Sequence, residues 1–166
     1  MTERQDEVSP AAVGAALSAW PGAVTLLTVA DGRDDIGTTV SSFCPVSADP
    51  PLVLASLMAD GYPAEVLGRV SLFAVTLLAA GQRLLAGRFA AAGRPGARLL
   101  LDGVPHRRGD RTGALIPDGG LAAFECEVTD RAPAGDHLLL IARVLDIPYV
   151  AETGDPLVRF RGGYLR

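Results

Sequence analysis

A turn at two adjacent prolines constrains the fold of this chain more than any other sequence feature. Pro50 and Pro51 follow Asp49, and each proline fixes φ and lacks a backbone N–H, so the chain must turn there. The preceding tract is rich in short hydroxyl side chains, and the following stretch, 52–57, is apolar and suits a strand. The hydroxyl residues are Thr38, Thr39, Ser41 and Ser42. Hydroxyls beside open backbone N–H groups suit an anion or a polar ring edge. On the pattern alone, a strand pair with a polar, solvent-facing side is the simpler interpretation.

Length and composition predict a single globular domain that spans residues 1–166. Of its residues, 49% are hydrophobic and 20% are charged, and this apolar content is sufficient for a sizeable core. Its net charge of −4 argues against a nucleic-acid or anionic membrane surface as partner. The polar, acidic N-terminus predicts no signal peptide, and no uncharged apolar run is long enough to span a membrane.

The two cysteines and two histidines predict neither a disulfide framework nor a metal site. Cys44 and Cys126 are far apart in apolar contexts, which favours a reducing cytoplasm. His106 and His137 have no partner at a spacing typical of zinc ligands, so no metal is expected.

Periodicity predicts a mainly β chain with a few short helices. Ser9-Pro10 begins a helix with Val13, Ala16, Leu17 and Trp20 on one face. Further helices are expected over 62–70 and over 80–92, the latter with Leu84, Leu85 and Phe89 inward. Strands are expected over 23–30, 36–43, 52–57, 72–78, 121–128, 136–149 and 157–161. Residues 94–120 are rich in Gly, Pro and Arg and are expected to form an exposed, solvated loop. Many short strands with few helices favour an antiparallel Greek-key barrel.

Residues 37–57 resemble the signature of the flavin reductase-like domain family, which runs approximately G-x-T-x-S-S-F-x-S-V-S-x-D-P-P-L-V. The matching positions are Gly37, Thr39, Ser41, Ser42, Phe43, Val46, Ser47, Asp49, Pro50, Pro51, Leu52 and Val53. Three shorter stretches are also similar to family motifs: Gly135-Asp136-His137, Arg88-Phe89-Ala90, and the C-terminal 160–164 with its Tyr164.

The resemblance implies an FMN-binding split β-barrel that works as an NAD(P)H:flavin oxidoreductase. Such a domain is usually a homodimer with the flavin near the subunit interface. The implied cofactors are FMN (or FAD) and NADH or NADPH, and the reduced flavin would pass to a partner oxygenase. The chain has neither a G-x-G-x-x-G nor a P-loop motif, consistent with binding on a barrel surface.

The same resemblance implies the site residues. His137 is the implied catalytic residue, which would place the nicotinamide. The implied cofactor-binding residues are Thr38, Thr39, Val40, Ser41, Ser42, Phe43, Asp49, Pro50, Thr76, Arg88, Phe89 and Tyr164.

Two departures from the family pattern leave alternatives open. Residues 58–63 lack the hydroxyls that usually hold the flavin phosphate, and Asp60 would repel one. Thr76 stands where the family usually has Asn. Phosphate binding would then depend on Thr39, Ser41, Ser42, backbone N–H groups and an unidentified arginine. The alternatives are a flavin reductase-like pathway enzyme acting on an organic, polyketide-like substrate, with bound flavin or a repurposed pocket, and a non-catalytic flavin-binding module.

Overall fold

Strands dominate the computed structural model, which describes residues 8–32 and 35–165. The strands are β1 (Gly22–Ala23), β2 (Thr25–Val29), β3 (Ile36–Val40), β4 (Phe43–Ala48), β5 (Pro51–Met58), β6 (Leu72–Leu77), β7 (His106–Arg108), β8 (Leu115–Pro117), β9 (Ala122–Ala134), β10 (His137–Val150), β11 (Val158–Phe160) and β12 (Gly163–Tyr164). The helices are α1 (Pro10–Leu17), α2 (Tyr62–Arg69), α3 (Arg83–Ala90) and α4 (Ala97–Leu100). None of the helices in these ranges is long and apolar enough to cross a bilayer.

Seven strands form one antiparallel sheet that curls into an open barrel. Their order is β3-β2-β6-β9-β10-β5-β4, so the two outermost strands are consecutive in the chain. Only Ser41 and Ser42 separate them, which requires the two edges of the sheet to approach each other. Ser56 N donates to Ser42 O at 3.0 Å, which extends the β4–β5 pairing to the first residue of this connection that follows Ser41. The predicted antiparallel split barrel is confirmed.

Strand β2, next to the edge strand β3, is buried on both faces because it lies between two apolar clusters. All five of its residues are buried, and successive side chains of a strand point to opposite faces. Leu27 and Val29 pack with Phe73 and Leu140 in one cluster. Leu26 packs with α3 and the segment after it in the other cluster. One face of β2 therefore packs in the barrel core, and the other face packs against the helix layer.

The helices lie close to the predicted positions, but the side chains that they bury differ from the prediction. Ser9 Oγ accepts a hydrogen bond from Ala12 N at 3.2 Å, confirming the predicted cap of α1. The apolar side chains of that helix are exposed. In α3, Leu85 and Phe89 are buried, but Leu84 is 82% exposed, so its predicted inward position is wrong. Adjacent helical residues point about 100° apart, and the buried face of α3 consists of Leu85, Ala86 and Phe89.

The expectation of a solvated loop over residues 94–120 is wrong. The segment forms α4, β7 and β8, and it buries Leu100, Leu101 and Ile116. Hydrogen bonds tie the segment to the barrel at defined points. Glu125 Oε1, buried on β9, accepts from Arg111 N at 3.0 Å and from Thr112 N at 2.8 Å. Such anchors leave no periodic signal in the sequence.

A second anchor is the buried carboxylate of Asp35, which has a φ of 46°. Arg98 Nε and Arg108 Nη2 donate to its Oδ2 at 2.9 and 2.7 Å. Burial opposes ionisation, but the hydrogen bonds from Arg108 and Arg98 prevail, so the pKa of Asp35 is lowered from its ordinary value. Two arginines of the 94–120 segment are thereby held against the β2–β3 hairpin.

Candidate functional site

The hydroxyl tract lies at the seam of the barrel, where β3 ends and β4 begins. Within the described ranges β3 pairs only with β2, so its other edge has no strand partner. A cavity of about 300 Å³ lies there and is lined by Thr38, Thr39, Val40, Ser41 and Ser42. Five residues predicted from the sequence therefore share one cavity.

A larger cavity adjoins the first and is more apolar. Its volume is about 600 Å³, and its lining includes Trp20, Phe43 and Phe160. Ser41 and Ser42 line both cavities, and both serines are exposed rather than sealed inside the barrel. The two serines therefore stand between a polar compartment and an apolar one.

His137 also lines the polar cavity, as the first residue of β10 opposite Met58. Its Nδ1 lies 2.6 Å from Asp136 Oδ1. The hydrogen bond from His137, with the charge of the ring, lowers the pKa of Asp136. The ionised carboxylate only accepts hydrogen bonds, so Nδ1 is the donor. This contact orients the imidazole and leaves Nε2 as the ring nitrogen that Asp136 does not engage.

Arg94 supplies a cation to the polar cavity, and sequence reasoning did not identify it. Nε donates to Gly37 O at 2.9 Å, and Nη1 donates to Ala91 O at 3.3 Å. Burial lowers the pKa of Arg94, because the charged form has lost part of its hydration. An anion placed beside the hydroxyls would restore that stabilisation. Arg94 is 57 residues from Gly37, so only the tertiary structure joins it to the tract.

Ser56 adds a further hydroxyl to the lining. It belongs to the strand that follows the double proline, and it was not among the site residues predicted from the sequence. Asp60 is exposed and is not among the described residues that line this cavity. The missing hydroxyls of segment 58–63 are thus offset by Ser56 and Arg94.

Asp49, Pro50 and Thr76, which the resemblance placed among the cofactor-binding residues, line neither of the two cavities. Asp49 and Pro50 form the exposed turn before β5, at the opposite end of that strand from Met58. Thr76 is 1% exposed on β6, and Gly120 packs closely against its methyl group.

Arg88, Phe89 and Tyr164 also lie outside both cavities. Arg88 Nη1 donates to Leu100 O at 3.3 Å, which ties α3 to α4. Phe89 is fully buried under β3. The ring of Tyr164 lies 5.3 Å from the Arg83 guanidinium carbon. Short motifs identified these residues, but their contacts are with the helix layer and the C-terminal strands.

The polar cavity contains no arrangement suited to a bound metal. Across the described ranges, no group of three His, Cys, Asp or Glu side chains could hold a metal ion. Cys126 is buried, and Cys44 is exposed beside the apolar cavity. The side chains available for chemistry in the polar cavity are therefore hydroxyls, one arginine and one histidine.

Known proteins share this architecture and much of the sequence. The chain is 37% identical over 153 residues to the NADH-dependent FMN reductase AsuE2 of Streptomyces nodosus subsp. asukaensis. That match covers 90% of this chain and 80% of that protein. It is 38% identical over 144 residues to the actinorhodin polyketide dimerase of Streptomyces coelicolor, covering 86% of this chain and 78% of that protein. Among solved structures it resembles BorF, the flavin reductase component of a bacterial two-component tryptophan halogenase. That match has a TM-score of 0.87 and 33% identity, and it covers 95% of this chain and 97% of that one.

The family assignment follows from the extent of the match. The sequence model described as the flavin reductase like domain matches residues 17–166. These residues include the hydroxyl tract, the double-proline turn and His137. Together with the open antiparallel barrel, the match shows that this chain belongs to the flavin reductase-like domain family.

Proposed function

We propose that this chain is an NADH-dependent flavin reductase that binds FMN or FAD and supplies reduced flavin to a partner monooxygenase. The observation that carries the proposal is the position of Ser41 and Ser42 between the polar and the apolar cavity. A flavin has the same division, because its polar ribityl phosphate is joined to a flat, largely apolar ring system. The residues at the seam therefore fit both halves of the cofactor.

Arg94 and the hydroxyl side chains are the groups that fit the phosphate and ribityl chain. Thr38, Thr39 and Ser56 line the same cavity as Arg94. A desolvated guanidinium and short hydroxyls are the donors that phosphate oxygens accept from. Val40 and Phe43 would contact the edge of the ring, and Ser41 and Ser42 would bond the polar chain where it meets the ring.

His137 would position the nicotinamide, acting by placement. Its contact with Asp136 fixes the direction of the imidazole before a ligand arrives, which reduces the cost of ordering it on binding. A bound flavin supplies a two-electron acceptor for the hydride of the nicotinamide, so the protein needs no nucleophile of its own. What the chain contributes is binding and the alignment of two planar rings.

The test is a titration with FMN and riboflavin, followed by NADH oxidation at the nicotinamide absorbance band. Arg94→Gln should weaken FMN about 10- to 150-fold, since a hydrogen bond to a charged group contributes roughly 1.5–3 kcal/mol. Riboflavin has no phosphate, so its affinity should barely change. Arg88→Gln is the matched control, because Arg88 lies outside both cavities and should leave both affinities unchanged. Wild-type protein that neither binds flavin nor oxidises NADH with added flavin would refute the proposal.

We also propose that the protein is a homodimer in the cytoplasm. Leu17 and Trp20 line the apolar cavity while remaining exposed, Trp20 to 78%. Exposed apolar side chains on one patch are typical of protein interfaces, and a second copy would cover them. Two free cysteines fit a reducing compartment. Light scattering of the purified protein should give the mass of two chains, and Trp20→Glu should shift it toward one.

A second candidate is an enzyme that uses the same site on an organic substrate. The 38% identity to a polyketide dimerase favours it, as does the room of about 600 Å³ beside Phe43 and Phe160. An assay on the purified protein distinguishes the two candidate functions. Rapid NADH oxidation with free flavin supports the reductase, whereas tightly bound flavin with little turnover supports the pathway enzyme or a non-catalytic flavin-binding module.

A further inference from the structure

The outer part of the β9–β10 hairpin, residues 129–137, is an arm that carries His137 at its C-terminal end. Strand β6 pairs with β9 only as far as Glu127, and a register shift at Thr129 interrupts the pairing of β9 with β10. Apart from His137, every residue of the arm is exposed. In the described part of the chain, β9 therefore has β10 as its only strand neighbour beyond Thr129, and a two-stranded hairpin alone is only marginally stable.

Arg131 attaches this arm to the C-terminal end of α2. Its Nε and Nη2 donate to Leu67 O at 3.0 and 2.8 Å, and Nη2 also donates to Val70 O at 3.4 Å. The last carbonyls of a helix have no partner within the helix, and a cation beside them is favourable. Leu67 is fully buried in the barrel core. One side chain therefore fixes the exposed arm to a well-packed part of the molecule.

The other end of α2 forms part of the polar cavity. Gly61, the N-cap of α2, and Pro63 line that cavity together with His137. Ala59 N donates to Asp136 O at 2.9 Å, so the turn of the arm also contacts the segment that leads into α2. The arm is thus held near both ends of α2, and Arg131 supplies the contact at the end away from the cavity.

Arg131 itself lines neither cavity, so an effect on ligands must pass through the arm. Its guanidinium belongs to none of the salt bridges found among the described residues, and its donors are directed at carbonyl oxygens. Without Arg131 the arm would keep its pairing with β10 but lose its attachment to the end of α2. The imidazole of His137 would then be ordered only when a ligand arrives, and that ordering lowers affinity.

We propose that Arg131 is a positioning residue for His137, because it holds the arm against α2 so that the imidazole faces the polar cavity before NADH binds. The inference rests on the proposed function, in which His137 places the nicotinamide. Arg131 touches no ligand in this arrangement. The flavin phosphate is assigned to Arg94 and the hydroxyl side chains, which do not belong to the arm, so flavin affinity should not depend on Arg131.

The first experiment compares steady-state NADH oxidation, with FMN as acceptor, for the full chain and its variants. Arg131→Met removes the donors, and KM for NADH should rise about 2- to 12-fold, the affinity lost when one side chain must be ordered on binding. The value of kcat should stay within about twofold, because substrate and transition state lose the same binding. Arg131→Lys keeps a charged donor and should give an intermediate KM. Arg143→Met is the matched control, since Arg143 is exposed on β10 and lines neither cavity, and its KM should equal that of the wild type.

A double-mutant cycle with His137→Ala tests whether Arg131 acts through the imidazole. His137→Ala should raise KM for NADH by itself, and Arg131→Met should then add nothing, because residues that act as one unit are not additive. An equal effect of Arg131→Met with and without His137 would show a general loss of structure and would overturn the inference. An unchanged KM for NADH in Arg131→Met, or an equal loss of FMN affinity, would overturn it as well.

Amide hydrogen exchange tests the attachment of the arm without turnover. The hydrogen-bonded amides of residues 129–137 should exchange at least about fivefold faster in Arg131→Met, the change expected when a hydrogen-bonded contact is lost, and Arg143→Met should exchange as the wild type does. Unchanged exchange in Arg131→Met would overturn the inference even in an active reductase. A wild-type protein that does not oxidise NADH with added flavin would instead refute the proposed function, and the exchange data would still decide whether Arg131 holds the arm.

Discussion

Gly37 is the residue whose enlargement should do most damage to both the fold and the phosphate end of the site. A Cβ built at this position would lie 2.5 Å from Phe89 Cε1 and 2.8 Å from Phe89 Cδ1. Carbon atoms normally approach to about 3.5–4.0 Å, so Gly37→Ala requires a displacement of about 1 Å. Phe89 is fully buried, and its ring has no solvent to move into. Overpacking of this kind costs roughly 1–3 kcal/mol.

The assay is thermal unfolding followed by circular dichroism, with flavin affinity measured on the same samples. In a domain of this size, each kcal/mol lost from the free energy of unfolding lowers Tm by roughly 2–4 °C. The Gly37→Ala protein should therefore melt about 2–12 °C below the wild type. Because Gly37 O holds Arg94 Nε, FMN affinity should fall more than riboflavin affinity.

Gly87→Ala is the control for this substitution. Gly87 is in α3, where an added Cβ has nothing within 4 Å, and replacing a helical glycine by alanine should stabilise by roughly 0.5–1 kcal/mol. A Gly37→Ala protein that melts with the wild type and binds FMN equally well would refute the packing argument and the role given to Arg94.

Two further predictions concern charged and ionisable groups. Asp35→Asn keeps the side-chain shape and tolerates the positive φ, but it removes the charge that Arg98 and Arg108 bind. We expect a loss of roughly 1–3 kcal/mol at pH 7 by urea unfolding, less than for a fully buried pair because both arginines are half exposed. Since the folded pKa of Asp35 is lowered, its stabilisation is complete above the ordinary Asp pKa of about 3.9. The gap between the two proteins should close as the pH falls through the folded value, and a gap independent of pH would contradict the pairing. Burial, with the charge of Glu125, raises the pKa of Cys126 to about 12, so its thiol stays protonated and inaccessible at pH 8. Mass spectrometry after iodoacetamide treatment should find only exposed Cys44 modified in native protein and both cysteines modified in urea, and labelling of Cys126 in native protein would show that the barrel opens.

The parts of the fold set by local pattern were predictable from the sequence. The apolar stretches that became β2, β5 and β6 have the length and composition of strands, and the double proline enforces the turn before β5. The capping serine at position 9 sets the start of α1 because its bond reaches only three residues along the chain. These features depend on residues that are close together in the chain, so they can be predicted from the amino-acid sequence alone.

The segment over residues 94–120 was not predictable, because long-range polar contacts hold it. Asp35 and Glu125 tie it to the barrel through side chains far apart in the sequence. Similarly, local pattern placed Leu84 in the core, and only the packing of α3 against β3 decided that Leu85 and Phe89 occupy it.

The sequence by itself determined the strands, the double-proline turn and the hydroxyl tract, because each depends on residues close together in the chain. Only the tertiary structure decided which distant side chains meet that tract. The approach of the two sheet edges at Ser41 and Ser42 brings Ser56, His137 and Arg94 to one cavity, and it leaves Thr76, Arg88 and Phe89 elsewhere. The physical reason is that a site at the seam of a curled sheet is built from strands and loops that become neighbours only when the two edges approach.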